Sequence, residues 1–167
     1  AYVFGRDGAL TKVDILGQRI ERRVPQASNS IGGAISQDGR VVAAQNYTPG
    51  GVKLFDAATL EMLADVRATP GPDGVPSKVV GLADAPGGRF VASLFDAGEI
   101  WVIAASNPRT PQVEKFSNVG RQPYAGLVTP DGRWYVAGLF GEDGLALLDL
   151  WHPERGVKRI LDKYGRG

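Results

Sequence analysis

The sequence predicts an all-β fold: a fragment of a β-propeller with about three and a half four-stranded blades. A similar tight turn recurs at residues 37–40, 86–89 and 130–133, at intervals of about 45 residues. Each turn precedes a short apolar run of strand length: "VVAAQN", "FVASLF" and "WYVAGLF". No stretch of about ten residues keeps a helical period without a Gly or Pro. Four short strands per repeat are typical of a propeller blade.

The blades follow one another along a single domain, 1–167. The opening runs "YVF", "LTKVDI" and "RIERRV" match the second, third and fourth strands of a blade, so we expect its first strand to lie upstream. The predicted blades are a partial one at 1–25 and complete ones at about 29–68, 77–117 and 121–162. We therefore expect this chain to be part of a longer protein, with a self-associating half ring as the alternative. A β-sandwich is the competing fold, but sandwiches rarely repeat one turn signature at a near-constant spacing.

Composition argues against several classes of function. The net charge is +1, from 19 basic and 18 acidic residues, and no basic stripe predicts a nucleic-acid partner. No apolar run approaches the roughly 20 residues that a transmembrane helix needs. With no Cys and a single His, the sequence predicts no transition-metal site of ordinary type. No Ser-His-Asp set or pair of catalytic carboxylates stands out.

The turns at one end of the blades are uniform, whereas the loops at the other end vary, as ligand-binding loops do. The first variable turn, "GRDG", needs its Gly and Asp residues for backbone reasons, but it does not need Arg6. Arginine binds carboxylates through two parallel hydrogen bonds, and tyrosine offers a stacking surface with one hydroxyl. This end is therefore predicted to bind a planar ligand that bears carboxylates. The candidate binding residues are Arg6, Asn29, Asn46, Tyr47, Lys78, Arg121 and Tyr124.

Several stretches together carry a resemblance to a known family: "YVFGRDGALTKVDI", "NSIGGAISQDGR", "NYTPGGVKLFDAATLE", "LFDAGEIWV" and "GRQPYAGLVTPDGRWYVAGLFGEDGLALLDLWHPERGV". The chain resembles, over essentially its whole length, the NirF family of heme d1 biosynthesis proteins. That family is related to the d1 domain of cytochrome cd1 nitrite reductase. The resemblance implies an eight-bladed propeller, with heme d1 or a late precursor at its mouth.

The resemblance also implies roles for individual residues. Arg6 matches an arginine that binds a carboxylate of heme d1, and Tyr47 matches a tyrosine near the distal side of the heme. Tyr124 is expected beside it, and Lys78 and Arg121 are weaker candidates for the carboxylates. The axial histidine of these relatives is expected upstream of Ala1.

The implied function is maturation of heme d1 in support of the dissimilatory nitrite reductase, with that reductase and other heme d1 maturation proteins as partners. In the reductase two distal histidines help to protonate nitrite, and their approximate counterparts here are Gly74 and Tyr124. Nitrite reduction is therefore not expected, and the sequence leaves open whether the protein is an enzyme. The alternatives are a non-enzymatic propeller that binds other proteins and a d1-type nitrite reductase domain. Relatives are typically periplasmic, and some are lipid-anchored.

Overall fold

A computed structural model describes residues 1–69, 74 and 76–163, which form four antiparallel sheets. Sheet 1 has three strands: β1 (Tyr2–Phe4), β2 (Ala9–Asp14) and β3 (Arg19–Pro25). Sheet 2 has four strands: β4 (Asn29–Ile35), β5 (Val41–Thr48), β6 (Gly51–Asp56) and β7 (Met62–Val66).

The remaining two sheets have the same architecture as sheet 2. Sheet 3 consists of β8 (Val79–Ala85), β9 (Arg89–Leu94), β10 (Glu99–Ala104) and β11 (Gln112–Phe116). Sheet 4 consists of β12 (Pro123–Val128), β13 (Trp134–Leu139), β14 (Leu145–Asp149) and β15 (Val157–Ile160), with one 3-10 turn at Pro153–Arg155 before β15. The strands of each sheet lie side by side in chain order, as in a propeller blade. The predicted all-β propeller fragment is thereby confirmed, and sheet 1 has three strands where the other sheets have four.

The hydrophobic core is divided into layers between neighbouring sheets. One layer joins sheets 1 and 2 through Leu10, Val42 and Phe55, and the next joins sheets 2 and 3 around Leu54 and Phe90. The third joins sheets 3 and 4 through residues that include Val91, Ile100, Tyr135 and Leu148. Consecutive sheets thus pack against one another through shared apolar layers, as the blades of a propeller do.

The first strands of sheets 2, 3 and 4 contact one another, and β8 packs against both β4 and β12. Gly81 makes the close approach of β8 to β12 possible, since a Cβ atom there would lie 2.5 Å from the Tyr124 carbonyl oxygen. The close contact between neighbouring blades therefore requires glycine at position 81. The part of the chain that the structure describes contains no helix long and apolar enough to cross a membrane.

The antiparallel order separates the connections into two groups at opposite ends of the sheets. The "loop end" comprises the connections at residues 5–8, 26–28, 49–50, 67–78, 95–98, 117–122 and 140–144; in the fourth of these the described residues are 67–69, 74 and 76–78. The "turn end" comprises the connections at 15–18, 36–40, 57–61, 86–88, 105–111, 129–133 and 150–156. The candidate site residues lie in or next to loop-end connections.

The repeated turns owe their similarity to local hydrogen bonds. Asp38 and Asp131 each accept a hydrogen bond from the backbone N–H of the arginine two residues later, both at 3.1 Å. Gly39 and Gly132 follow with φ of 72° and 71°, a left-handed conformation that glycine adopts without strain. The Asp-Gly pair therefore builds the turn, and the arginine that follows it directly precedes the next strand.

Candidate functional site

Arg6 is exposed in the β1–β2 connection. The geometry of the turn accounts for the residues next to Arg6, but it does not require an arginine at this position. Gly8 has φ of 80°, and a Cβ atom there would lie 1.8 Å from the Ala27 carbonyl oxygen. Asp7 accepts a hydrogen bond from the Ala9 backbone N–H at 3.1 Å and forms an ion pair with Arg23. Within the described residues, no ion pair is formed by Arg6. Its charge is therefore available to a ligand.

The structure brings Arg6 together with Tyr47 and Tyr124, which come from the end of β5 and the start of β12. The pKa of the Tyr47 phenol is raised, first by partial burial and then by hydrogen bonding and charge interaction with Tyr124. The nearby Arg6 guanidinium acts in the opposite direction on the same pKa. Tyr47 thus lies near both Arg6 and Tyr124, so that predicted site residues from three different sheets come close together at the loop end.

Two phenylalanines extend this group, and sequence reasoning missed both. The Tyr124 ring contacts Phe95 edge-on at a centroid distance of 5.9 Å and Phe140 at 5.6 Å, and the two phenylalanine rings are 6.0 Å apart. Phe95 and Phe140 each directly follow the second strand of their sheet. That shared position in "SLF" and "GLF" is the signal that could have identified them. We call Phe95, Tyr124 and Phe140 the aromatic wall.

Lys78 lies at the loop end but is engaged by Asp96. Its Nζ donates to Asp96 Oδ1 at 2.8 Å, its backbone N–H donates to Oδ2 at 2.9 Å, and the ammonium sits 5.2 Å from the Phe95 ring centroid. Burial would raise the pKa of Asp96, but these hydrogen bonds and the Lys78 charge outweigh it and hold the pKa below its usual value. Lys78 is therefore a weaker candidate for ligand carboxylates than Arg6.

Arg121 is engaged in the same way by Glu142. The Arg121 backbone N–H donates to Glu142 Oε1 at 2.8 Å, and its Nε lies 3.6 Å from Oε2. Arg159 reaches the same carboxylate at 3.0 Å from β15. The backbone hydrogen bond from Arg121 and the two guanidinium charges lower the pKa of Glu142. The cation predicted for ligand binding thus also links the β11–β12 connection to the β13–β14 connection.

The two predicted asparagines differ from each other. Asn46 is completely buried, and its amide closes its own turn by donating to the Gly51 carbonyl oxygen at 3.0 Å and accepting from the Gly50 N–H at 2.8 Å. Its side chain supports the turn that carries Tyr47. Asn29 is partly buried, and within the described residues its Oδ1 atom has no hydrogen-bond partner, as is also true of both polar side-chain atoms of the buried Gln26.

The arrangement as a whole suits a flat acidic molecule. An unpaired guanidinium can bind a carboxylate in a bidentate manner, and the phenols and the aromatic wall offer hydrogen bonds and stacking surface. Next to the wall, a cleft of about 530 Å³ opens between sheets 3 and 4, with Phe95, Arg121, Glu142 and Arg159 in its lining. The side chains gathered at this site bind and orient; they do not include a nucleophile beside a general base.

Comparison with known proteins places this chain among heme-domain sequences. The family model described as "Cytochrome D1 heme domain" matches residues 1–167. Protein NirF of Pseudomonas aeruginosa is 64% identical over 169 residues, which cover 100% of this chain and 43% of that protein. Protein NirF of Stutzerimonas stutzeri is 64% identical over 168 residues, with the same two coverages. The chain thus spans about two fifths of the length of these relatives.

Among solved structures, dihydro-heme d1 dehydrogenase NirN in complex with DHE is similar, with a TM-score of 0.80 and 27% sequence identity. The alignment covers 95% of this chain and 33% of that chain. Together, the sequence and structure matches confirm the family resemblance that the sequence indicated.

Proposed function

Because the chain belongs to the cytochrome D1 heme domain family, we propose that it binds heme d1, or a late precursor of heme d1, at the loop end of its sheets. Its similarity to NirF proteins and to a dehydrogenase that acts on dihydro-heme d1 supports a role in heme d1 biosynthesis. The bound tetrapyrrole would then serve the assembly of the dissimilatory nitrite reductase.

The observation that carries this proposal is the charge of Arg6, which forms no ion pair with any described residue and lies near the phenols of Tyr47 and Tyr124. The other two cations proposed for carboxylate binding already contact carboxylates, Lys78 with Asp96 and Arg121 with Glu142. Arg6 has no such partner in the described part of the chain. A carboxylate at the edge of a tetrapyrrole would supply it, through a charge-assisted pair of hydrogen bonds.

The residues gathered at the loop end fit a flat tetrapyrrole, and each has a binding role. Arg6 would hold a carboxylate, while Tyr47 and Tyr124 would lie beside the macrocycle and offer their hydroxyls as hydrogen-bond donors. When bound, the tetrapyrrole would supply an iron centre and an extended conjugated ring. Asn46 would keep the Tyr47 turn in place rather than contact the ligand.

The partners and the location of the complete gene product belong to the same proposal. Partners would be the nitrite reductase that receives heme d1 and other heme d1 maturation proteins. The location would be the periplasm, with a lipid anchor as one means of attachment.

An absorption titration tests the proposal. Heme d1 added to the complete gene product should shift its spectrum on binding, and Arg6→Ala should weaken the affinity by roughly tenfold or more, because a hydrogen bond to a charged group contributes about 1.5–3 kcal/mol. Arg40→Ala, which removes an exposed arginine at the turn end, is the matched control and should leave the affinity unchanged. A spectrum that does not respond to heme d1 would contradict the proposal.

A further inference from the structure

A cavity of about 630 Å³ lies at the turn end of the sheets, opposite the loop-end site. Its lining comes from the second halves of three first strands, β4, β8 and β12, and from the connections that follow them. Because β8 contacts both β4 and β12, three blades bound the cavity together. A cavity of this size accommodates a small organic molecule or the side chains of a short peptide.

Apolar side chains form one part of this lining. They include Leu82, Pro86, Leu127 and Val128. Pro86 packs so closely on Gly132 that a Cβ atom there would lie 2.4 Å from the proline Cγ atom, so the connections of sheets 3 and 4 meet at the cavity. Leu127 is 57% exposed, and an apolar part of a ligand can therefore pack on it without displacing a neighbour.

The lining also contains two carboxylates, which differ in their partners. Asp131 accepts hydrogen bonds from the Thr129 hydroxyl and from the Arg133 backbone N–H, within its own turn. Asp84 is partly buried on β8 and forms no hydrogen bond or ion pair within the described residues. Among the described residues that line the cavity, none is Lys, Arg or His. A carboxylate that is partly withdrawn from water and lacks a counter-charge favours a cation beside it.

The donor set is a poor fit to a metal ion. The part of the chain that the structure describes contains no group of three or more His, Cys, Asp or Glu that could hold one. Hard divalent cations require several oxygen ligands. A single carboxylate beside an apolar wall is better suited to an organic cation, because one ammonium or guanidinium group can form a charge-assisted hydrogen bond with it.

We propose that the turn-end cavity binds an organic cation that carries an apolar group. Its ammonium or guanidinium pairs with Asp84, and the apolar group packs on Leu127. A free amine and a basic side chain of a partner protein share this chemistry. The cavity lies at the opposite end of the sheets from Arg6, so the inference goes beyond the proposed function and does not depend on it.

Ligand-observed NMR titrations of the complete gene product provide the test. Benzylamine is the free amine, and a blocked Leu-Arg-Leu tripeptide presents a cation on a peptide. Benzyl alcohol and a Leu-citrulline-Leu tripeptide are their neutral counterparts. At about pH 7, where both the amine and the carboxylate are charged, at least one cationic probe should bind about tenfold more tightly than its neutral counterpart. A preference shown only by benzylamine indicates a free amine as the ligand, and one shown by the tripeptide indicates a protein partner.

Variants assign the preference to residues. Asp84→Asn keeps the shape of the side chain and removes its charge, so it should abolish the preference for the cationic probe. Asp131→Asn is the matched control, because Asn can still accept the hydrogen bonds of the turn, and most of the preference should remain. Leu127→Ala should weaken the cationic and the neutral probe alike, by about threefold. Heme d1 affinity should be unchanged in all three variants.

The outcomes separate this inference from the proposed function. Equal affinity for each cationic probe and its neutral counterpart would overturn the inference, as would a full preference in an Asp84→Asn variant that melts at the normal temperature. Absence of binding by both cationic probes at millimolar concentration would also overturn it. Failure of the unmodified protein to bind heme d1 would overturn the proposed function and leave the cation site intact.

Discussion

The β1–β2 and β13–β14 connections carry nearly the same sequence and use their central charge in opposite ways. Both read Phe-Gly-X-Asp-Gly, with Arg6 at the variable position in one and Glu142 in the other. The Glu142 side chain is 19% exposed and forms ion pairs with Arg121 and Arg159, whereas Arg6 is exposed and has no ion pair among the described residues. The turn needs only its Gly and Asp residues. The side chain at the variable position can therefore either link neighbouring loops through ion pairs or contact a ligand.

Reversing the charge of Arg6 should have the largest effect on function. Arg6→Glu makes the first turn resemble the second, removes the proposed carboxylate contact and adds repulsion. We expect heme d1 affinity to fall by roughly 100-fold, as measured by absorption titration. Arg40→Glu at the turn end provides the control, and equal losses in both variants would show that net charge alone matters.

Removing the carboxylate of Glu142 should chiefly affect stability. Glu142→Ala leaves Arg121 and Arg159 without their shared partner and frees the Arg121 backbone N–H, so the free energy of unfolding should fall by about 2 kcal/mol. Arg6→Ala should change it by less than about 0.5 kcal/mol. Urea unfolding of both variants measures the difference, and equal stabilities would contradict the contrast between the turns.

The same contrast predicts a dependence on pH. The folded state lowers the pKa of Glu142 below its usual value of 4.5, so its stabilising contribution is present above that pH and is lost as the pH falls through the lower folded-state pKa. Glu142→Gln should therefore show a shallower loss of thermal stability between about pH 5 and pH 3 than the unmodified protein. Arg6→Ala should retain the original profile, and a profile unaltered by Glu142→Gln would argue against this role for the carboxylate.

Tyr47→Phe should have the smallest effect on binding. The variant keeps the ring and loses only the hydroxyl that interacts with Tyr124, so heme d1 affinity should fall about threefold. A loss of heme d1 affinity as large as that caused by Arg6→Ala would indicate that Tyr47, rather than Arg6, makes the main polar contact with the ligand. The titration is the same one used for Arg6→Ala, which makes the comparison direct.

Much of the fold follows from the sequence because the turn signals repeat. The Asp-Gly-Arg turns and the apolar runs beside them determine where each blade reverses direction. The blade order then places the turn that carries Arg6 and the strand ends that carry Tyr47 and Tyr124 at one end, where the structure also brings these side chains near one another.

The pairing of the other cations was not foreseeable in the same way. The partners Asp96 and Glu142 lie 18 and 21 residues from Lys78 and Arg121, in different connections, and no local pattern links them. Phe95 and Phe140 were missed because they look like the ends of buried strands. Whether Lys78 or Arg121 can bind a ligand carboxylate depends on whether its charge is already paired in the folded protein. Sequence periodicity does not carry that information.

The most direct test of the central claim is a crystal structure of the complete gene product with heme d1 bound. The account predicts a carboxylate oxygen of the tetrapyrrole at about 2.8 Å from the Arg6 guanidinium, with Tyr47 and Tyr124 beside the ring. A tetrapyrrole bound at the turn end, or one at the loop end whose carboxylates all lie beyond hydrogen-bond distance of Arg6, would contradict it.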